Sequence, residues 1–185
     1  MRKIVSKHKK KKQERTRQLI VGGILVIIMI ISVFGYAFQG ENNNDSKLKY
    51  NNFEFVKKDN YWVLENSFVF KYSPKETEDF NFESYLNPIN NYQDKPLYIY
   101  SENNLAESEI YKNLYYVAQR IQYACIEGKS CKENVPIKTC EDNFIIISES
   151  EFNVEQKENC LFISGPKENL DKISDEVLFK IIGVK

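Results

Sequence analysis

The sequence from Leu19 to Gln39 runs for 21 residues without a charged side chain. An α-helix rises about 1.5 Å per residue, so this stretch makes roughly 31 Å of helix and matches a hydrocarbon core of about 30 Å. A basic side chain at mid-membrane costs about 3 kcal/mol on insertion scales. The basic run that ends at Arg17 therefore sets the near boundary. The pattern predicts one transmembrane helix over residues 19–39.

The charge of the chain is divided between the two sides of this stretch. All 185 residues together carry 26 basic and 26 acidic side chains. Residues 1–18 hold nine basic residues against one acid, a net charge of +8, and the rest holds 17 against 25, a net charge of −8. Basic residues favour the cytoplasmic side of a membrane. We therefore expect a single-pass cell-membrane protein with a basic cytoplasmic tail (1–18), a linker (40–48) and an extracytoplasmic domain (49–185).

Two alternatives for the N-terminal region stay open. Gly35-Tyr36-Ala37 resembles a signal-peptide cleavage site, although the apolar stretch is longer than the usual 7–15 residues. Cleavage there would export the same domain. The basic tail is explained as a topology signal, and attraction to anionic lipids is its alternative. No aromatic residue interleaves the basic run, which argues against a nucleic-acid partner.

Four cysteines follow the apolar stretch: Cys125, Cys131, Cys140 and Cys160. An even number in an exported domain predicts two disulfides. A zinc site or a redox dithiol usually needs a close C-x-x-C pair, which is absent. If strands at 144–148 and 160–164 are parallel, the expected bonds are Cys140–Cys160 and Cys125–Cys131. If those strands form a hairpin, Cys140 and Cys160 lie too far apart, because bonded Cα atoms come within about 7 Å.

Residues 50–72 alternate aromatic and polar side chains with a period of two. Turn-like triplets at 58–60 and 65–67 interrupt the alternation, and Pro74 ends it. This pattern predicts an antiparallel β-meander with one aromatic face. Such a face binds sugar or peptide in some proteins, but a role in the core is the commoner one.

The rest of the chain predicts the order β-α-β-β-α. A short apolar strand at 97–100 precedes a helix whose N-cap candidates are residues 101–104 and whose end is expected between Cys125 and Gly128. The apolar stripe of this helix has spacings of three and four. The apolar runs at 144–148 and 160–164 are typical of strands covered on both faces. A final helix buries apolar residues up to Ile181, and residues 149–159 are expected to hold one helical turn. The predicted fold is a small exported α+β, possibly α/β, domain.

Several kinds of chemistry are excluded by composition. The single histidine, His8, lies in the basic tail, so the exported domain cannot build a Ser-His-Asp, Cys-His or histidine–zinc site. Only Gly40, Gly128, Gly165 and Gly183 follow the apolar stretch, which excludes a phosphate-binding glycine loop. We therefore expect no catalytic, cofactor-binding or metal-binding residue.

Three functional hypotheses follow. The first is a membrane-anchored module that binds a protein or another component of the cell envelope. The second is an exported hydrolase that cleaves glycan or peptide with carboxylates, and the third is a thiol-disulfide oxidoreductase. Two carboxylates about 5–9.5 Å apart in one cleft would favour the hydrolase. An exposed aromatic patch would favour the binding module.

Overall fold

The computed structural model describes residues 7–38, 46–65, 67–128, 131 and 134–185. The chain divides into two compact units, residues 1–44 and residues 45–185. The first unit contains α1 (Lys7–Phe38), a single helix that runs from the basic segment through the apolar one. Gln39 and the tail residues Arg2 and Lys3 lie outside the described residues, as does the linker from 40 to 45.

The helix α1 contains the apolar stretch that the sequence analysis assigns to a membrane. Its window Arg15–Ser32 has a mean hydropathy of 1.7, and no side chain of that window is buried. Among the described residues, α1 is the one helix long and apolar enough to cross a bilayer. The predicted N-terminal apolar helix is therefore present.

Four short strands begin the second unit: β1 (Lys47–Tyr50), β2 (Phe53–Lys58), β3 (Tyr61–Leu64) and β4 (Phe68–Phe70). Each pairs antiparallel with the next, which confirms the predicted meander. Asn51 and Asp59 lie in the turns with φ of 51° and 53°, a conformation that Asn and Asp tolerate better than most residues. Strand β1 begins inside the region predicted as a linker.

The remaining elements are β5 (Pro96–Ser101), α2 (Asn104–Leu114), β6 (Arg120–Tyr123), β7 (Cys125–Ile126), β8 (Ile137–Lys138), β9 (Phe144–Glu149), β10 (Asn153–Lys157), β11 (Cys160–Gly165) and α3 (Leu170–Ile181). Five of these strands form a second sheet in the order β10-β11-β9-β5-β6. Strands β6, β5, β9 and β11 are mutually parallel, and β10 is antiparallel to β11. The short pair β7–β8 is parallel and separate.

Helix α3 packs against both sheets. Ten of its twelve residues are buried. The Phe179 ring contacts Phe55 and Phe70 of the meander, with centroids 5.8 and 4.4 Å away. On the other side, Ile173 packs so closely on Gly165 of β11 that a Cβ there would lie 2.3 Å from its Cδ1. The aromatic face of the meander is therefore part of the core.

The predicted helix is wrong beyond Leu114. The chain turns there, and Val117 and Lys95 accept backbone hydrogen bonds from Asp94 and Gln119. Strand β6 then pairs with the buried strand β5. An apolar spacing of three and four fits a helix, but strand pairing outweighs it because it satisfies the backbone of β5.

The prediction for residues 149–159 is also wrong. They contain β10, in which Val154 is buried while Asn153 and Lys157 face solvent. The order β-α-β-β-α therefore omits β6, β7, β8 and β10. The coarser statement holds, because the described chain is a mixed α+β structure with a four-stranded antiparallel sheet and three α-helices.

The cysteines form the two bonds expected for parallel strands. Cys140 bonds Cys160 with Cα atoms 4.9 Å apart, and Cys125 bonds Cys131 with Cα atoms 6.0 Å apart. Cys160 lies level with Phe144 in the parallel register, so the segment before β9 reaches it. The predicted position of Cys125 at the end of a helix is wrong, because Cys125 follows the carboxyl end of strand β6.

Candidate functional site

Four tyrosines near the end of α2 form the main exposed aromatic cluster among the described residues. We call this cluster, Tyr61, Tyr111, Tyr115 and Tyr116, the tyrosine surface. Their exposed fractions are 45%, 37%, 51% and 87%. The rings of Tyr111 and Tyr115 stack with centroids 5.4 Å apart, and Tyr116 meets Tyr115 edge-on at 5.1 Å. The rings of Tyr111, Tyr115 and Tyr116 therefore touch in series.

The position of α2 explains why these rings face outward. Ile110 and Leu114 are fully buried, and Tyr111 and Tyr115 follow them by one residue on the outer side of the helix. The helix ends at Leu114, and Tyr115 donates its backbone N–H to Tyr111 at 2.9 Å. Two successive aromatic side chains therefore stand at a corner of the fold.

Lys112 connects Tyr61 to the rest of the tyrosine surface. Its Nζ lies 4.8 Å from the centroid of the Tyr61 ring and forms an ion pair with Glu109. A cation over an aromatic face contributes about 0.5–1 kcal/mol at an exposed site. The tyrosine surface thus joins β3 of the meander to α2 of the helix layer.

Asn113 fixes α2 to the edge of the meander beneath this surface. Its Oδ1 accepts from the Val69 N–H at 2.7 Å, and its Nδ2 donates to the Val69 carbonyl at 2.8 Å. The same Nδ2 donates to the Glu109 carbonyl one turn earlier. Because the Asn113 side chain is buried, these bonds are shielded from water. The backbone beneath the tyrosines is therefore fixed to the meander by these hydrogen bonds.

A tyrosine surface of this kind is suited to recognition. A tyrosine side chain buries a large area, loses only two side-chain torsions on binding and carries a hydroxyl that can donate or accept. Tyrosine is also enriched among the residues that dominate interface energies.

A second feature is a cavity of about 710 Å³ at the carboxyl ends of β5 and β6. Two of its glutamates are held by tyrosine hydroxyls. Tyr100 donates to Glu102 at 3.1 Å, and Tyr123 donates to Glu107 at 2.5 Å. Burial and the nearby Glu102 carboxylate raise the pKa of Tyr100.

This cavity gives limited support to the hydrolase hypothesis. Glu102 also accepts the backbone N–H of Glu149 at 3.0 Å, so its two carboxylate oxygens both have donors. Within the described residues, no group of three or more metal-ligating side chains occurs.

The four cysteines that are predicted to form disulfides all do so in the structure. Cys125 and Cys160 are buried, so an incoming thiolate has poor access to either. This burial favours a structural role over redox exchange. The tyrosine surface was missed, although Tyr111 and Tyr115 share one helical face away from the apolar stripe.

Comparison with known proteins found no matching family model, no matching curated protein and no matching solved structure.

Proposed function

We propose that this chain is a single-pass membrane protein, with a cytoplasmic N-terminus, whose extracytoplasmic domain binds another protein through the tyrosine surface. The apolar helix α1 and the change in charge from +8 to −8 across it support the anchor and its orientation. Two disulfides support export, because disulfides persist in oxidising compartments.

The contact between the exposed rings is the observation that carries this proposal. An isolated exposed tyrosine is ordinary, but contiguous exposed aromatic groups mark interaction sites. Because the stacked and edge-on contacts already restrict Tyr111, Tyr115 and Tyr116, binding costs them less side-chain entropy.

The shape of the tyrosine surface favours a protein partner over a glycan. Tyr115 and Tyr116 stand at 86° to one another, and the Lys112 ammonium lies between α2 and Tyr61. A sugar chain stacks best on rings that share one flat face. An uneven aromatic surface with a cation over one of its rings instead suits the side chains and backbone carbonyls of a folded protein.

Site-specific photocrosslinking in the native membrane tests the proposal. A photoreactive residue at position 116 is expected to give a discrete protein adduct. Replacing Tyr111 and Tyr115 by alanine in the same chain should reduce its yield at least tenfold. Tyr85 is the matched control, because it is 77% exposed and lies outside the tyrosine surface. A photoreactive residue at position 85 should give no such adduct.

Equal adducts at positions 116 and 85, or an adduct that persists without Tyr111 and Tyr115, would contradict the assignment. Saturable binding of purified envelope polysaccharide that depends on the same tyrosines would replace the protein partner by a glycan.

A further inference from the structure

Four acidic side chains are buried in the helix layer: Glu109 on α2, and Asp171, Asp175 and Glu176 on α3. A buried carboxylate is costly unless a cation or several donors compensate for its lost hydration. Three of the four have a lysine: Lys112 pairs with Glu109, Lys71 with Asp171 and Lys185 with Glu176. Asp175 has no ion pair of its own among the described residues.

Asp175 and Glu109 meet across the contact between the two helices. The Tyr72 N–H donates to Asp175 Oδ2 at 2.8 Å, but Asp175 Oδ1 has no donor among the described groups. Glu109 Oε2 is contacted by the Lys112 ammonium and by no other donor among the described groups. A carboxylate oxygen only accepts hydrogen bonds, so two neighbouring carboxyl groups can bond to each other only through a proton.

We propose that Glu109 and Asp175 share one proton, and that loss of this proton loosens α2 and the tyrosine surface above it. The count of charges agrees, because four buried acids face three lysines and one proton makes the group neutral. Burial first, and the neighbouring Glu109 charge second, raise the pKa of Asp175 well above its ordinary value.

The other charged groups around the pair are already engaged. On α3, Asp171 lies one turn before Asp175 and is held by Lys71 at 2.6 Å. Glu176 Oε2 is bound to Lys185 and to the Thr77 hydroxyl, whereas its Oε1 has no donor among the described groups. On α2, Lys112 is the one cation facing the pair within the described residues. Without the shared proton, this single lysine would have to balance two carboxylates.

Lys112 also connects the pair to the tyrosine surface, because it contacts both Glu109 and the Tyr61 ring. A second negative charge at the pair repels α2 from α3 and draws Lys112 away from Tyr61. The relevance of this motion to binding rests on the proposed function. The proposal of a shared proton does not depend on the proposed function.

The direction of the pH effect follows from the raised pKa. The folded protein binds this proton more tightly than the unfolded chain, in which an aspartate titrates near pH 3.9. The stabilisation is therefore complete below about pH 4 and is lost as the pH rises toward the folded pKa. Within that window, the folding equilibrium constant falls about tenfold per pH unit.

The test compares the full chain in detergent micelles with its Asp175→Asn variant. Asparagine keeps an oxygen for the Tyr72 N–H and offers Glu109 a permanent donor. Urea unfolding from pH 4 to 9 should show a loss of stability with rising pH that is smaller in Asp175→Asn. The matched control is Asp171→Asn, which removes a partner of Lys71 and should lower stability while keeping the pH dependence.

Hydrogen exchange supplies a readout that does not need a partner. Protection factors of the amides at 110–116, corrected for intrinsic exchange, should fall with rising pH in the wild type and stay constant in Asp175→Asn. Equal pH profiles of stability in the two proteins would overturn the shared proton. A pH-independent protection of α2 in the wild type would overturn its coupling to the tyrosine surface. Failure of crosslinking at position 116 would instead refute the proposed function and leave both of these results intact.

Discussion

Removing the Cys140–Cys160 disulfide is expected to destabilise the domain more than removing Cys125–Cys131. The bonded residues are 20 and 6 positions apart in sequence. Loop-closure entropy at 25 °C then gives about 3.3 kcal/mol for the longer loop and about 2.2 kcal/mol for the shorter one. The difference of about 1.1 kcal/mol depends only on the ratio of the loop lengths.

Burial does not separate the two bonds, because each joins one buried and one half-buried cysteine. Cys160 is fully buried in a small cluster with Tyr98 and Phe144, on the face of the sheet that Ile126 also packs against. Truncation of Cys160 to alanine leaves a small cavity there, which adds up to about 1 kcal/mol. We therefore expect a loss of about 4 kcal/mol for Cys140→Ala/Cys160→Ala. Cys125 is buried as well, so its truncation carries a similar cavity cost, and Cys125→Ala/Cys131→Ala should lose about 3 kcal/mol.

Urea unfolding of the full chain in micelles measures both losses. The single tryptophan, Trp62, lies half-buried in the meander and reports the transition by fluorescence. Wild-type protein unfolded in the presence of reductant is the control, and it should be less stable than either double variant. Equal losses for the two double variants, or a larger loss for the Cys125 pair, would refute the loop-length reasoning.

Two further predictions concern the core and the topology. Phe179→Ala should lower the free energy of unfolding by about 3–5 kcal/mol in the same urea experiment, because the Phe179 ring packs on Phe55 and Phe70. Phe179→Leu should lower this free energy clearly less. Similar losses for the two variants would contradict the packing argument. A protease added outside intact cells should remove an epitope tag placed after Lys185, and protection of that tag would reverse the proposed orientation.

The elements that the sequence predicts well are those whose pattern is local. In the meander, Phe55 and Phe70 are buried and their neighbours along the strands are more accessible, so a period of two identifies the strands directly. The last helix has a complete apolar stripe and an end that glycine permits. Gly183 adopts a φ of 79°, and Val184 donates its N–H back to the Phe179 carbonyl at 2.8 Å.

The features that the sequence does not predict depend on distant partners. The end of α2 at Leu114 is set by the pairing of Ile121 with Leu97, and these two residues follow and precede the helix in the sequence. Strand β10 is acidic and short, and only its pairing with β11 reveals it. The tyrosine surface combines Tyr61 with residues 50 and more positions later. No local sequence pattern predicts contacts between residues so far apart in the chain.

The buried acids show the same limit in another form. The sequence after residue 18 contains 25 acidic residues, and nothing in their spacing separates Asp175 from the others. Its role depends on the packing of α2 against α3, which removes water from a carboxyl group that has no lysine. The composition gives the number of acidic residues but does not show which of them lose their hydration in the fold.

The contact between Asn113 and Val69 has a consequence for assembly. In β4, the backbone N–H and C=O of the central residue, Val69, point away from β3, since both bond to the Asn113 side chain. Asn113 occupies both of them, and no hydrogen-bonding position at the centre of β4 remains for a strand from another molecule. At the opposite edge, β1 carries Lys47 and Lys49, whose charges oppose strand addition. The meander is thus protected from edge-to-edge aggregation on both sides.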